Sequence, residues 1–149
     1  MLRKVTIAGL TLDQESKAPI LILKTEETDE AIPIWIGLLE ATSIASALQE
    51  IDFDRPMTHD LFKSFITLMD VDVDRVEVCD LKNNTFYARI YFISGDSEFS
   101  MDARPSDAIA MAVRFNCAVY VDEKVIEALR PEGGGQTYEM EDKSEEGKK

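Results

Sequence analysis

A chain of 149 residues that is 45% hydrophobic and 30% charged can bury a core and stay dissolved, which excludes a fibrous or wholly disordered protein. It carries 29 acids against 16 bases, and with the residues after Arg130 set aside the body still holds 23 acids against 13 bases. Such a body argues against tight, non-specific binding to DNA or RNA, where phosphate neutralisation supplies most of the affinity, but it leaves open an enzyme that holds a cation on carboxylates and touches phosphate briefly.

The chain opens with alternation. Val5 and Ile7, then Leu10 and Leu12, predict a strand with Gly9 as a bulge. Pro19 to Leu23 and Ile32 to Ile36 predict two more, joined by the polar turns Asp13 to Lys17 and Glu26 to Glu30. Short polar connections make the three an antiparallel meander. Pro33 lacks a backbone donor, so its strand is expected to lie at an edge or to start at the proline.

After Gly37 the apolar spacing shifts to three and four. Leu38, Ala41, Ala45 and Leu48, with Ile44, Ala47 and Ile51, predict a helix to about Ile51. Thr58 is expected to cap a second helix running to Met69, with Leu61, Phe65 and Leu68 beside Phe62, Ile66 and Met69 as its apolar face. Strands return at Val76 to Val78, Thr85 to Ile93 and Glu98 to Ala103, with turns at Lys82-Asn83-Asn84 and Gly95-Asp96. Ser106 is expected to cap a third helix to Phe115, followed by a strand at Ala118 to Val121 and a helix at Glu123 to Leu129. Beyond it the apolar period disappears, so residues 1–130 form the domain and 131–149 a disordered acidic tail.

These elements define an α+β fold: mainly antiparallel sheet packed with three or four helices. The two halves share a β-β-β-α plan. Ala41 to Leu48 can be laid on Ser106 to Val113, and Arg-Pro precedes a Ser or Thr in both halves, which suggests an internal pseudo-repeat.

No apolar run approaches the roughly 18 residues that span a bilayer. Met1 to Ile7 contains Arg3 and Lys4 but no apolar stretch or cleavage site of a signal peptide follows. The expectation is a cytoplasmic protein with no membrane contact. Cys79 and Cys117 are far apart and set among apolar residues, as buried free thiols are. With one histidine, a zinc site is not expected.

No phosphate-binding loop, paired metal-binding histidines or Gly-flanked nucleophilic serine is present, and nothing in the sequence supports a Ser–His–Asp arrangement. Two constellations carry chemistry. In Arg55-Pro56-Met57-Thr58-His59-Asp60, free amides at a helix start favour anions, and His59 has the pKa range of a general acid or base. The plainer reading of Asp60 is that it satisfies the helix dipole. In Asp102-Ala103-Arg104-Pro105-Ser106-Asp107, two carboxylates flank an arginine at a strand-to-helix junction, a common binding position. The plainer reading is an Arg104–carboxylate clamp that fixes the turn.

Glu40 starts the first helix. If Glu40, Asp60, Asp102 and Asp107 converge, they offer the oxygen ligands that Mg²⁺ or Mn²⁺ prefers for phosphodiester hydrolysis. Trp35, Phe86, Tyr87, Tyr91 and Phe92 have the spacing of strand packing more than of a base-stacking platform.

Ile32-Pro33-Ile34-Trp35-Ile36-Gly37, Glu40-Ala41, Arg55 to Asp60, Phe86-Tyr87-Ala88, and above all Asp102-Ala103-Arg104-Pro105-Ser106-Asp107-Ala108-Ile109-Ala110 resemble the bifunctional nuclease domain family. The resemblance covers roughly Val5 to Leu129. It implies a small α+β domain of bacterial or plant type and activity on both DNA and RNA as transient substrates. On these motifs, the metal ligands are expected to be Glu40, Asp60, Asp102 and Asp107. His59 is expected as acid or base, Arg55 and Arg104 as phosphate or charge-stabilising contacts, and Thr58 and Ser106 beside them in substrate binding. The competing expectation is a non-catalytic interaction module. A homo-oligomer is expected in either case, since edge strands in small domains often pair.

Overall fold

The computed structural model describes residues 1–131, so the acidic tail expected over 131–149 lies, apart from Pro131, outside the described residues. Three strands come first: β1 (Leu2–Leu12), β2 (Pro19–Thr25) and β3 (Ala31–Trp35). Each pairs antiparallel with the next. Successive side chains point to opposite faces of a sheet, so Leu21 and Leu23 of β2 are fully buried while Ile20 and Ile22 are half-exposed. The register against β2 slips between Ile7 and Gly9, which is the expected bulge. β3 is the sheet's edge strand, where the missing N–H of Pro33 breaks no ladder.

Two helices follow, α1 (Leu38–Leu48) and α2 (Thr58–Leu68). A second antiparallel meander is built from β4 (Asp72–Lys82), β5 (Thr85–Ser94) and β6 (Ser97–Ala103). Its first hairpin turns at Asn83 and Asn84, with φ of 52° and 64°. Both are left-handed, a geometry that suits the twist of a two-residue hairpin and that asparagine tolerates. The described residues close with α3 (Pro105–Phe115), β7 (Ala118–Asp122) and α4 (Glu123–Leu129).

β7 joins the halves. The seven-stranded order is β3-β2-β1-β7-β4-β5-β6, with β7 antiparallel to β1 and parallel to β4. The fold is therefore α+β, with a mostly antiparallel sheet and four helices among the described residues. The β-β-β-α plan recurs on each side of β7. No helix among the described residues is long and apolar enough to cross a membrane.

α3 is the central helix. Ala108, Ile109, Ala110, Met111 and Ala112 are all buried, because α3 touches β4, β5 and β7 on one side and α1 and α2 on the other. The alanines let those neighbours approach closely. α2 packs chiefly on α3, so its apolar surface is covered less than its sequence suggests. Ile66 is buried and Phe62 half-buried, while Leu61, Phe65, Leu68 and Met69 stand exposed. α1 behaves similarly: Ala41 and Ile44 face inward, Leu38 and Leu48 outward, and the helix stops at Leu48 rather than Ile51.

If α3 is the centre of the core, Ile109→Ala should destabilise the fold by about 2–5 kcal/mol, as truncation of a fully buried aliphatic side chain does. Leu39→Ala, at an 81% exposed position, should change it by less than about 0.5 kcal/mol. Urea melts of both variants against wild type check this. Equal effects would mean that the core lies elsewhere.

Candidate active site

Two helix starts differ from expectation in a way that creates the site. α2 begins at Thr58 itself, with Met57 in the N-cap position. The Asp60 carboxylate reaches back and accepts the Met57 amide at 3.1 Å, so an orphan donor is satisfied from inside the helix and no hydroxyl cap is needed. α3 begins two residues earlier than Ser106 would dictate, with Arg104 at the N-cap and Pro105 first in the helix, where a proline loses no hydrogen bond. Thr58 is thus exposed and Ser106 buried within the first turn, neither as a cap.

The starts of α2 and α3 meet the start of α1, and five side chains close into a polar ring. Ser43 Oγ lies 2.7 Å from His59 Nδ1, and His59 Nε2 lies 2.9 Å from Asp107 Oδ1. Arg104 grips Asp107 through Nε at 2.9 Å and Nη2 at 3.2 Å. The same Nη2 lies 3.1 Å from Glu40 Oε2. Glu40 and Ser43 are three residues apart on α1, hence neighbours on one helix face, and this spacing closes the ring. Gly37 allows the Glu40 carboxylate to fold back, because a Cβ there would strike it. The side chain of His59 is 15% exposed and that of Arg104 63%, so the ring opens to solvent at the guanidinium.

A second layer lies behind the first. Arg114, 6% exposed, reaches Asp60 Oδ1 at 2.7 Å. It also donates to the carbonyl of Ser43 at 3.3 Å and to that of Ala110 at 3.1 Å. One buried guanidinium therefore ties α3 to α1 and α2, directly beneath the residue that contacts His59. Removing one partner of a buried ion pair strands the other's charge, at a cost of about 3–5 kcal/mol.

Of the expected residues, His59, Arg104, Asp107 and Glu40 come together, and Asp60 lies behind them on Arg114. Asp102 is exposed on β6 opposite Arg89, outside the ring. Arg55 is exposed in the loop before α2, outside the ring, and lines a groove with Asp52, Lys63 and Leu68 that reaches Asp60 and Arg114. The expected convergence of four carboxylates does not occur. Among the described residues no three His, Cys, Asp or Glu are grouped to hold a metal ion. Glu40 and Asp107 are turned to Arg104 and Asp60 to Arg114, so as they stand the set does not fit one cation shell. The arginine–carboxylate clamp is present, but with Asp107 and Glu40 as partners. Ser43 and Arg114 are the residues that the sequence did not disclose.

The aromatic side chains form no common platform. Trp35 donates to Asp13 Oδ2 at 2.9 Å at the β3 edge, Phe92 is buried, and Tyr91 lies under the Arg75 guanidinium, 3.9 Å from ring centroid to carbon. Cys79 and Cys117 are free and half-buried. Burial pushes the Cys117 thiol up to about 11, so it is protonated and inert at neutral pH.

The model of the bifunctional nuclease domain matches residues 21–132, and the chain belongs to that family. An uncharacterised protein of Mycobacterium tuberculosis is 37% identical over 123 residues, which cover 83% of this chain and 73% of that protein. Bifunctional nuclease 1 of Oryza sativa subsp. japonica is 28% identical over 109 residues, 70% of this chain and 33% of the plant protein. Bifunctional nuclease 1 of Arabidopsis thaliana shows the same identity, over 34% of its length. The chain therefore spans about a third of these plant relatives.

Asp107 in the ring and Asp60 behind it are both held below the ordinary carboxylate range. Burial acts to raise Asp107, but hydrogen bonds from Arg104 and His59, with their charges, outweigh it and leave the group below its ordinary 3.8. Burial also acts to raise Asp60, and the Arg114 and Met57 donors outweigh it in the same direction. A carboxylate lowered in the folded state stabilises the fold above its unfolded pKa, and that contribution is lost as pH falls through the folded pKa. Asp60→Asn and Asp107→Asn should each lower the melting temperature at pH 7, and the deficit should shrink as the pH drops from about 4 towards 2. Melting curves across that range check it. A deficit independent of pH would show that these carboxylates are not held by charge.

Proposed function

We propose that this chain is a nuclease that hydrolyses phosphodiester bonds in DNA and RNA, with the Ser43–His59–Asp107–Arg104–Glu40 ring as its active site. The observation that carries the reading is His59 pinned by both ring nitrogens beside an exposed guanidinium. Asp107 is ionised, so Nε2 must carry the proton and donate it, which leaves Nδ1 basic towards Ser43. Arg104 stands at the solvent mouth; Nε and Nη2 are engaged by Asp107 and Glu40, which leaves Nη1 to donate to a phosphate oxygen and the guanidinium charge to offset charge that develops in the transition state. The family and the names of the plant relatives support the same chemistry.

The body's net negative charge predicts weak, short-lived binding of nucleic acid. Within the site, however, the two arginines Arg104 and Arg114 stand against three carboxylates, Glu40, Asp60 and Asp107. These groups sum to −1, with each carboxylate paired to an arginine. No step is routed through a cation, because the carboxylates as arranged are committed to arginines.

The test is an assay of purified protein on plasmid DNA and single-stranded RNA, with Mg²⁺, with Mn²⁺ and with chelator. Cleavage of both substrates is expected, with His59→Gln slowing it by about a hundredfold or more, the usual worth of a general base. Cleavage that survives in His59→Gln would place the activity elsewhere. Loss in chelator would mean that Glu40 and Asp107 leave Arg104 for a cation when substrate arrives.

A second reading rests on α2. Leu61, Phe65 and Leu68 are exposed at spacings of four and three, with Met57, Ile51 and Phe53 nearby also exposed. They form an apolar strip of the kind that marks an interface. Acids and bases both border it, Asp52 and Asp60 beside Arg55 and Lys63, so a two-fold contact there can set opposite charges against each other. We propose that α2 faces a second copy. Light scattering should give more than one chain mass for wild type and one chain mass for Phe65→Glu, with the fold intact by circular dichroism. A monomeric wild type at micromolar concentration would exclude this interface.

A further inference from the structure

We infer that Ser43 is the nucleophile of this site, activated by His59, and that hydrolysis proceeds through a phosphoryl ester on its hydroxyl; this rests on the reading of the ring as a phosphodiesterase. The argument is one of proton accounting. A neutral histidine has one N–H and one lone pair. The Nε2 proton is committed to the Asp107 carboxylate at 2.9 Å, and Asp107 is itself fixed by two bonds from Arg104. The lone pair on Nδ1 faces Ser43 Oγ at 2.7 Å. His59 has no third site, so any proton it takes or gives in catalysis passes through that hydroxyl or through whatever displaces it. Nucleophile, base and orienting carboxylate within hydrogen-bond reach of one another is the arrangement that activates a serine. It is recognised by geometry and role rather than by sequence order, and here the three residues stand on three different helices.

The positions of the supporting groups agree. The Ser43 carbonyl accepts from Arg114 at 3.3 Å and from Ser46 Oγ at 3.0 Å. The backbone that carries the nucleophile is therefore anchored to a buried cation. Arg104, beyond Glu40 in the ring, is its most exposed member, where a polyanion can meet it.

The chemistry balances without a further reactant. Ser43 Oγ forms a bond to phosphorus as the bond to the leaving sugar oxygen breaks. The hydroxyl proton passes to His59 Nδ1 and then to that oxygen. Water next attacks the phosphoryl ester and gives its proton to Nδ1, and the serine oxygen departs and recovers it. One water is consumed, and a hydroxyl and a phosphomonoester are released. No 2′-hydroxyl takes part, so DNA and RNA are equally suitable substrates.

The experiment is labelling of the intact chain with a biotinylated fluorophosphonate, which a serine attacks at phosphorus with loss of fluoride. Cleavage of plasmid DNA and RNA by the same preparation is measured alongside. The expected result is a single adduct mapped by peptide mass to Ser43, formed at least about a hundredfold more slowly in His59→Gln and absent in Ser43→Ala. Mapping on wild type does not depend on any variant folding. Cleavage without an adduct at Ser43 would overturn the serine nucleophile while the nuclease reading stands. An adduct at Ser43 without cleavage would keep the nucleophile and remove nucleic acid as its substrate. Neither adduct nor cleavage would overturn both.

Discussion

α3 is a helix with almost no free surface. The sheet takes Ile109 and Met111 from one side, and α1 and α2 press on it from the other. Of its charged side chains, Arg114 is buried and Asp107 half-buried, and neither can turn to bulk water without parting those helices, while Arg104 at the N-cap stands exposed at the mouth of the seam. They are satisfied in the seam, by Glu40, His59 and Asp60 and by the carbonyl of Ser43. Burying a charged group is costly unless it is paired, so the packing of one alanine-rich helix dictates the polar architecture around it. The ring and the layer behind it are the form that this compensation takes.

Such a seam also explains how a site can be held rigid without loops. Its side chains are carried by α1, by α2 and by the N-cap and body of α3, each locked by its neighbours. The tautomer of His59 follows from the ionisation of Asp107, which follows from the grip of Arg104, which in turn is balanced by Glu40. Each link sets the electrostatic state of the next, and the chain ends on the hydroxyl of Ser43.

Much of the fold was legible in the sequence because its signals are local. Asn83-Asn84 marks a two-residue hairpin, Gly9 a bulge, Pro33 an edge strand, and the β-β-β-α plan recurs in both halves. Helix starts were less legible. Asp60 caps from within its helix and Pro105 opens the next, so the hydroxyls of Thr58 and Ser106, which look like caps, have no such task. The site was legible in part. His59, Asp107, Arg104 and Glu40 lie at element junctions, where polar residues stand out. Ser43 sits mid-helix among alanines and Arg114 late in an apolar helix, and only the crossing of three helices gives them partners. Asp102 shares a motif with Arg104 and Asp107, yet strand geometry sends it to the surface opposite Arg89. The exposure of the strip on α2 was not legible, because its period is the one a buried face would have. How much of a helix is covered depends on its neighbours, and α2 has chiefly one.

The insertion of β7 between the two meanders bears on how the molecule comes to be. Its partners are Leu2 to Val5 on one side and Arg75 to Val78 on the other, so the middle of the sheet joins the first strand of the chain to the last. Each hairpin can zip from its own turn, but the two halves have no shared ladder until residues 118–122 slide between them. Pairings this remote in sequence carry a large loop-closure cost and slow the search. A chain emerging from the ribosome would hold two unfinished sheets, each with a bare inner edge, until β7 arrived. The strand that completes the fold is thus also the one whose delay would leave both edges open to strangers.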